Sequence, residues 1–357
     1  MKTPEKDSII AAVDLGANAV RLEMGRALRD GSIEITHQER DPVRPGKDVF
    51  LHGSIPAPVV DRLVATLRRY GSLCRRYHAR VRVVATSALR EAHNREEIVR
   101  RVQREAKLNI EVISGKEEAR LICLGVLHGK RPTARSLCID IGGGSTEVAV
   151  AQGERATSLW SLALGAVRLT ELFKMAHSPT NKQLRLVREY AREAVVESLP
   201  RTIPGAPRVA LGSSGSIRAV VEFAAAEGTS HATAKQLGRA VEKLAAMSPQ
   251  ERRKRFDPGR ADIVLAGAVI LDALARQLSL EAVIAVDRGL RDGVLVDLLN
   301  RRNTSLRDLS LADEALSLGR RFHFDEEHAR QVALLSLALF DQISQVHRLP
   351  AAVRPYL

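Results

Sequence analysis

Aromatic residues make up only 3% of this 357-residue chain, and that scarcity removes one class of partner. A platform that stacks nucleic-acid bases needs exposed Phe, Tyr or Trp, so no nucleic-acid partner is expected. The single Trp160 lies in an apolar strand-like run and reads as core. Cysteine is equally thin. Cys74, Cys123 and Cys138 fall inside helical or strand patterns with neither disulfide nor metal-ligand spacing, the usage of a reduced cytoplasmic setting. No stretch free of charges reaches membrane length, and Ile9 to Val13 is too short for the apolar core of a signal peptide. A soluble protein without a membrane span is expected. The ten histidines are scattered without ligand spacing; His323, Asp325 and His328 come closest, but read as the charged start of a helix. No Ser or Cys nucleophile with a His partner stands out, which favours direct attack by water over a covalent intermediate.

Positive charge, by contrast, is abundant. Lys and Arg number 55 against 42 Asp and Glu, a formal +13, which suits an anionic partner. The length allows two ordinary domain cores and a short extra element. Two segments are built alike: an apolar run, an Asp, a glycine-containing turn and a second run. They are Ile10 to Arg21, with Asp14, Gly16 and Asn18, and Leu137 to Val150, with Asp140, Gly142, Gly143, Gly144, Ser145 and Glu147. An Asp closing a buried strand points its carboxylate out of the sheet end, and glycines let backbone N–H groups turn to an anion. Two such hairpins facing each other would clamp phosphates and a metal ion. A lone Asp-x-Gly carries little weight, whereas three consecutive glycines followed by Ser, Thr and Glu read as an anion cradle.

The rest of the chain alternates between strand and helix patterns. Ser32 to Gln38 predicts a strand, Val59 to Arg76 a helix, Val81 to Ala85 a strand, Asn94 to Lys107 a helix and Ile110 to Ile113 a strand. Ser114 caps the next helix, which carries Glu117 and Glu118. The basic loop His128 to Arg135 marks a boundary, after which strands at 136–141, 146–152 and 157–163 and helices near 166–177 and 181–198 follow. A strand Arg208 to Leu211 leads into the small-residue turn Gly212 to Ser216. Helices near 233–246 and 261–278, with a strand Ala282 to Val286, complete the pattern, and from Leu306 it reads as helix alone. This order predicts an α/β fold in which a mixed sheet covered by helices occurs twice, with domains at 1–131 and 132–305 and a helical segment at 306–357.

Seven ordered landmarks across residues 8–300 together resemble the exopolyphosphatase and guanosine pentaphosphate phosphatase (Ppx/GppA) family. They are Val13 to Leu22, Ala85 to Arg90, Ile113 to Arg120, Ile139 to Glu147, Leu164 to Leu169, Gly212 to Ile217 and Asp287 to Gly293. The resemblance implies two actin-like (ribonuclease H-like) domains, and a hydrolase that frees terminal phosphate from inorganic polyphosphate, from pppGpp, or from both. It implies Glu118 as the general base and Arg90 as a ligand of phosphate oxygens. Asn18, Arg21, Gly142 to Gly144, Ser145, Gly212 and Ser213 become phosphate ligands. Asp14, Asp140 and Glu147 would hold a hydrated Mg²⁺. Arg168 and Arg291 join Arg21 as weaker candidates for a basic track, and a homodimer is the expected assembly. Two departures stand out: Ala17 and Ala19 replace small hydroxyl residues of the first loop, and 306–357 resembles only the opening of the helical domain found in longer members, so a fragment or a shortened form is expected. A polyphosphate or alarmone sensor and an ATP-dependent small-molecule kinase are the competing readings.

Overall fold

The computed structural model describes residues 8–28, 30–130, 134–203, 205–303, 319 and 324–343. Met1–Leu299 form one compact unit and Asn300–Leu357 another. In the first unit two sheets repeat one plan. Strands β1 (Ile9–Leu15), β2 (Val20–Ala27) and β3 (Ile33–Asp41) form an antiparallel meander, and β4 (Arg80–Ala85) and β5 (Ile110–Val112) extend it in parallel, in the order β3-β2-β1-β4-β5. The second sheet repeats this with β6 (Arg135–Ile141), β7 (Thr146–Gln152), β8 (Arg155–Leu162), β9 (Val209–Ser213) and β11 (Ala282–Ala285). Its order is β10-β11-β9-β6-β7-β8, with β10 (His231–Thr233) an added antiparallel edge. The central strands β1 and β6 are continuous apolar runs because both faces are covered by helices.

One core packs α2 (Ala57–Arg76) and α4 (Arg95–Ala106) on the first sheet through Leu63, Leu67, Ile98 and Val102. A larger one packs α7 (Asn181–Ser198), α9 (Ala234–Ala246) and α12 (Val264–Gln277) on the second. The other face of the first sheet, at Ile10, Ala12 and Val84, is covered by Leu121 of α5 (Gly115–Leu127) and Val294 and Leu295 of α13 (Leu290–Asn303). Helices α5 and α13 touch backbone to backbone: a Cβ on Gly293 would run into the Leu121 carbonyl, and one on Gly125 into the Gly289 carbonyl. This crossing fixes the helix that carries Glu118.

The expected elements are present with shifted ends. The Asn94 to Lys107 helix stops at Ala106, with Lys107 in left-handed backbone at φ 58°. The 166–177 helix is α6 (Ala166–Phe173), closed in the same way by Lys174. The 261–278 helix divides into α11 (Pro258–Ala261) and α12. Short α1 (Gly46–His52), α3 (Ser87–Glu91) and α10 (Pro249–Arg255) are too brief for a periodic signal. The boundaries at 131/132 and 305/306 fall on residues outside the described ones, as does His323. Asp325 accepts a hydrogen bond from His328 N at 3.0 Å and caps the helix Glu326–Gln342, the helix-start role read from the sequence. No described helix is long and apolar enough to cross a membrane.

Candidate active site

The aspartates that end β1 and β6 line one cavity of about 150 Å³, together with Asn18, Arg21, Glu118, Gly142, Gly143 and Ser145. Each aspartate faces a charged residue across its own hairpin. Asp14 is in register with Arg21, and Asp140 with Glu147. In the second loop the carbonyls of Gly142 and Gly143 accept hydrogen bonds at 2.8–3.0 Å from the N–H groups of Ala166, Val167 and Arg168, the first turn of α6. Gly142 N is itself spent on the Ser145 carbonyl at 2.9 Å, so of the residues lining the cavity Gly143 and Ser145 have amides left to offer an anion.

None of the three loop glycines has positive φ. They serve close approach. A Cβ on Gly143 would stand 2.8 Å from the Ala17 methyl of the opposite hairpin, and one on Gly144 would overlap the Phe50 ring and Ser87 Oγ. Side chains here would force the two walls of the cleft apart.

Ser114 starts α5, its Oγ accepting from Glu117 N at 3.2 Å. Glu117 turns to Arg120 at 2.7 Å and Arg82 at 3.5 Å, and both arginines also reach Asp297. About 100° further round the helix, Glu118 points inward and is 6% exposed. Arg90 Nη1 donates to Glu118 Oε2 at 3.2 Å and to the Ile113 carbonyl at 2.9 Å, so the carboxylate is held in one orientation.

Four carboxyls then share a single field. Burial pushes Glu118 up to about 8; Arg90 opposes this, while Asp14 and Asp140 add to it. Asp140, desolvated, eased by a hydrogen bond from Ser213 and repelled by Asp14, rises to about 6. Burial also lifts Glu147 well above the usual carboxylate range, with Glu118 and Asp140 adding to the shift. Asp14 rises through burial against the pull of Arg21 and Arg291. Such a cluster is short of positive charge. Asp14 Oδ1 and Glu147 Oε2 are buried without a hydrogen-bond partner, a state that costs about 1–3 kcal/mol per group. Both facts suit a bound cation. Among the described residues, however, no three acidic, His or Cys side chains converge closely enough to ligate one ion directly. Asp14 and Asp140 line the cavity, whereas Glu147 does not and its Oε1 accepts from Ser161 Oγ at 2.8 Å; such a donor set suits an ion that keeps most of its water, as expected for hydrated Mg²⁺.

A profile of the Ppx/GppA phosphatase family matches residues 26–302. The chain belongs to this family. It is 28% identical over 348 residues to the guanosine-5'-triphosphate,3'-diphosphate pyrophosphatase of Vibrio vulnificus, spanning 96% of this chain and 69% of that one. The crystal structure of the Aquifex aeolicus Ppx/GppA family member superposes with a TM-score of 0.71 at 27% identity, over 84% of this chain and all of that one. An exopolyphosphatase from Cytophaga hutchinsonii shares the fold with a TM-score of 0.70 at 24% identity, over 82% and 98% of the two chains. The protein is thus a Ppx/GppA hydrolase on an actin-like scaffold.

Within this Ppx/GppA scaffold several expected site residues take other positions. Arg90 does not line the cavity; its guanidinium is spent on Glu118 and Ile113. Gly144 packs under Phe50 and Ser87, and Gly212 against Ile217 and Val283, so neither belongs to the cavity wall. Ser213 does line it, but its hydroxyl donates to Asp140 Oδ2. Arg168 leaves the basic track: it donates to the Gly144 carbonyl at 2.8 Å, pairs with Glu91 and stacks on Phe50 at 4.2 Å. Arg21 and Arg291 do line the cavity. Sequence reasoning missed Arg218 and Arg260, which reach the same space from α8 (Ser214–Ala224) and α11. It also missed Ser214, a wall residue held at φ 80°. A Ser in left-handed backbone is uncommon, and the glycine-flanked run Gly212 to Gly215 was the available signal.

Proposed function

We propose that the protein hydrolyses a terminal phosphoanhydride of inorganic polyphosphate or pppGpp, with Glu118 taking a proton from the attacking water. The observation that carries this reading is Glu118 itself. It is a buried carboxylate fixed by Arg90, desolvated into a stronger base and sharing the cavity with the Gly143 and Ser145 amides. Phosphoryl transfer asks the protein mainly for position and charge. The loop amides and Arg21 supply positive potential to the phosphate oxygens, and the Asp14, Asp140 and Glu147 carboxylates would hold hydrated Mg²⁺. The ion, when bound, neutralises phosphate charge. The name of the Vibrio vulnificus relative supports pppGpp, while the excess of basic residues supports a longer polyanion. Phosphate release from long polyphosphate and from pppGpp, each with and without Mg²⁺, tests the reading; no release from either substrate with Mg²⁺ present would refute it.

A further inference from the structure

Beside the active-site cavity lies a second one of about 290 Å³ that the proposed reaction leaves unused. Its wall carries Arg44 and Lys47 from the first half of the unit and Lys174 and His177, just past α6, from the second. Arg44 and Lys174 both hold left-handed backbone, φ 57° and 53°, which non-glycine residues seldom adopt. Two carboxyls face these cations. Asp262 is already shared between Arg44 at 3.8 Å and Arg253 at 3.5 Å. Glu171 is raised by burial, with Lys47 opposing the shift and Asp48 adding to it. Arg44, Lys47 and Lys174 outnumber the Asp262 and Glu171 carboxylates, so positive charge prevails in the chamber. The two cavities have Asn18 and Ile263 in common, and along this shared partition Asn18 Nδ2 donates to the carbonyl of Gly259, a wall residue of the second cavity, at 3.2 Å.

We propose that this second cavity is a chamber for free orthophosphate, entered by the phosphate cleaved at the active site when the Asn18–Gly259 hydrogen bond opens. The inference rests on the phosphohydrolase reading above. Hydrolysis of the terminal P–O–P link by water yields one orthophosphate and a substrate one unit shorter, so the ligand is supplied by the reaction itself. The bolt and the substrate contact are the same group. Asn18 Nδ2 carries two N–H donors, so an anion loosens the partition when it swings the whole amide out of reach of the Gly259 carbonyl. Lys47 and Lys174, both exposed and on opposite halves, then offer charge-assisted hydrogen bonds on the far side.

The test is a Lys47→Gln/Lys174→Gln double variant of the full chain. Single-turnover cleavage of tripolyphosphate, appearance of free phosphate in the same time course, and the ³¹P linewidth of orthophosphate titrated with resting protein are measured. Loss of two charge-assisted contacts predicts roughly ten-fold weaker orthophosphate binding and slower release, with cleavage and KM within about two-fold of wild type. Slower cleavage together with a raised KM would put the chamber on the substrate path and overturn the proposal, as would unchanged binding and release. Should the wild-type protein cleave no phosphoanhydride, the reaction reading fails while the titration still decides the chamber. Orthophosphate bound by wild type and lost in the variant retains the site, and binding that is absent or unchanged removes it.

Discussion

The two hairpins that face each other across the cleft share a plan and differ at one register position. Across from Asp14 stands Arg21; across from Asp140 stands Glu147. The first hairpin neutralises its own carboxylate, and the second doubles its negative charge in a place 2% exposed at Glu147. A duplicated scaffold has thus become a divided site. One wall carries a guanidinium and the Asn18 amide, groups that suit a phosphate, and the other gathers the two desolvated carboxyls of Asp140 and Glu147, which suits a cation. Glu118 belongs to neither hairpin; α5 delivers it between them, and its charge is felt by both walls.

The largest effect should come from the residue between the walls. Glu118→Gln keeps size and the Arg90 contact but cannot accept a proton, so kcat should fall roughly 10²-fold or more with substrate binding nearly intact. Because the free carboxyl titrates at about 8, wild-type kcat/KM should climb with pH up to that region, and the residual activity of the variant should lack this limb. Wild-type-like turnover in the variant would remove Glu118 from its role.

Next comes the doubled charge of the second wall. Asp140→Asn or Glu147→Gln should raise the Mg²⁺ concentration needed for half-maximal activity by about 10–100-fold, the scale seen when groups that support a metal are lost. Full activity in excess EDTA would show that no divalent ion sits between these carboxylates. A third expectation concerns stability and needs no substrate. A carboxyl whose pKa is raised in the folded state favours folding below its unfolded value, and that contribution is lost as pH climbs through the folded value. Asp140 alone loses about 3 kcal/mol as pH passes from about 4 to above 6, and Glu118 continues the loss through about 8. The metal-free protein should therefore melt lower as pH rises over that window, and Mg²⁺ should restore more of the melting temperature at pH 8 than at pH 5. Melting scans with and without Mg²⁺ check this. A metal-free melting temperature that rises with pH would contradict the shared field.

Much of this division was legible in the sequence. Asp14, Asp140 and the glycine run announce themselves because each closes an apolar run and breaks its pattern, whereas Glu118, in the first turn of its helix, was singled out by the resemblance. What could not be read is whatever depends on pairing across elements distant in the chain. Nothing near Arg90 says that it meets Glu118 rather than phosphate, nor that Arg168 is claimed by Glu91 and Phe50. Gly144 and Gly212 look like Gly142 and Gly143 in sequence, yet what a Cβ would strike is set by Phe50, Ser87, Ile217 and Val283 after folding. Arg260 was hidden for a related reason: it sits in the four-residue helix Pro258–Ala261, too short for periodicity to separate from its surroundings.

The smallest effect is expected at Ala17, where this chain departs from the hydroxyl residues of its family. The departure invites the idea of a weakened first loop, but the structure gives the methyl a job. Ala17 is buried, its carbonyl accepts from Gly46 N at 2.9 Å, and the Cβ positions of Gly46 and Gly143 lie 2.6 and 2.8 Å from its own methyl. A side chain at either glycine would strike this methyl, and at Gly46 also the Phe50 ring and the Ala17 carbonyl. In Ala17→Ser, one added neutral hydrogen bond contributes about 1 kcal/mol, against about 1–3 kcal/mol for crowding a packed contact. The two nearly cancel, so kcat/KM for polyphosphate should stay within about three-fold of wild type while the melting temperature drops slightly. A rise of about ten-fold or more in kcat/KM would mean that the first wall does lack a phosphate donor, and that the asymmetry between the hairpins is partly a defect of this chain.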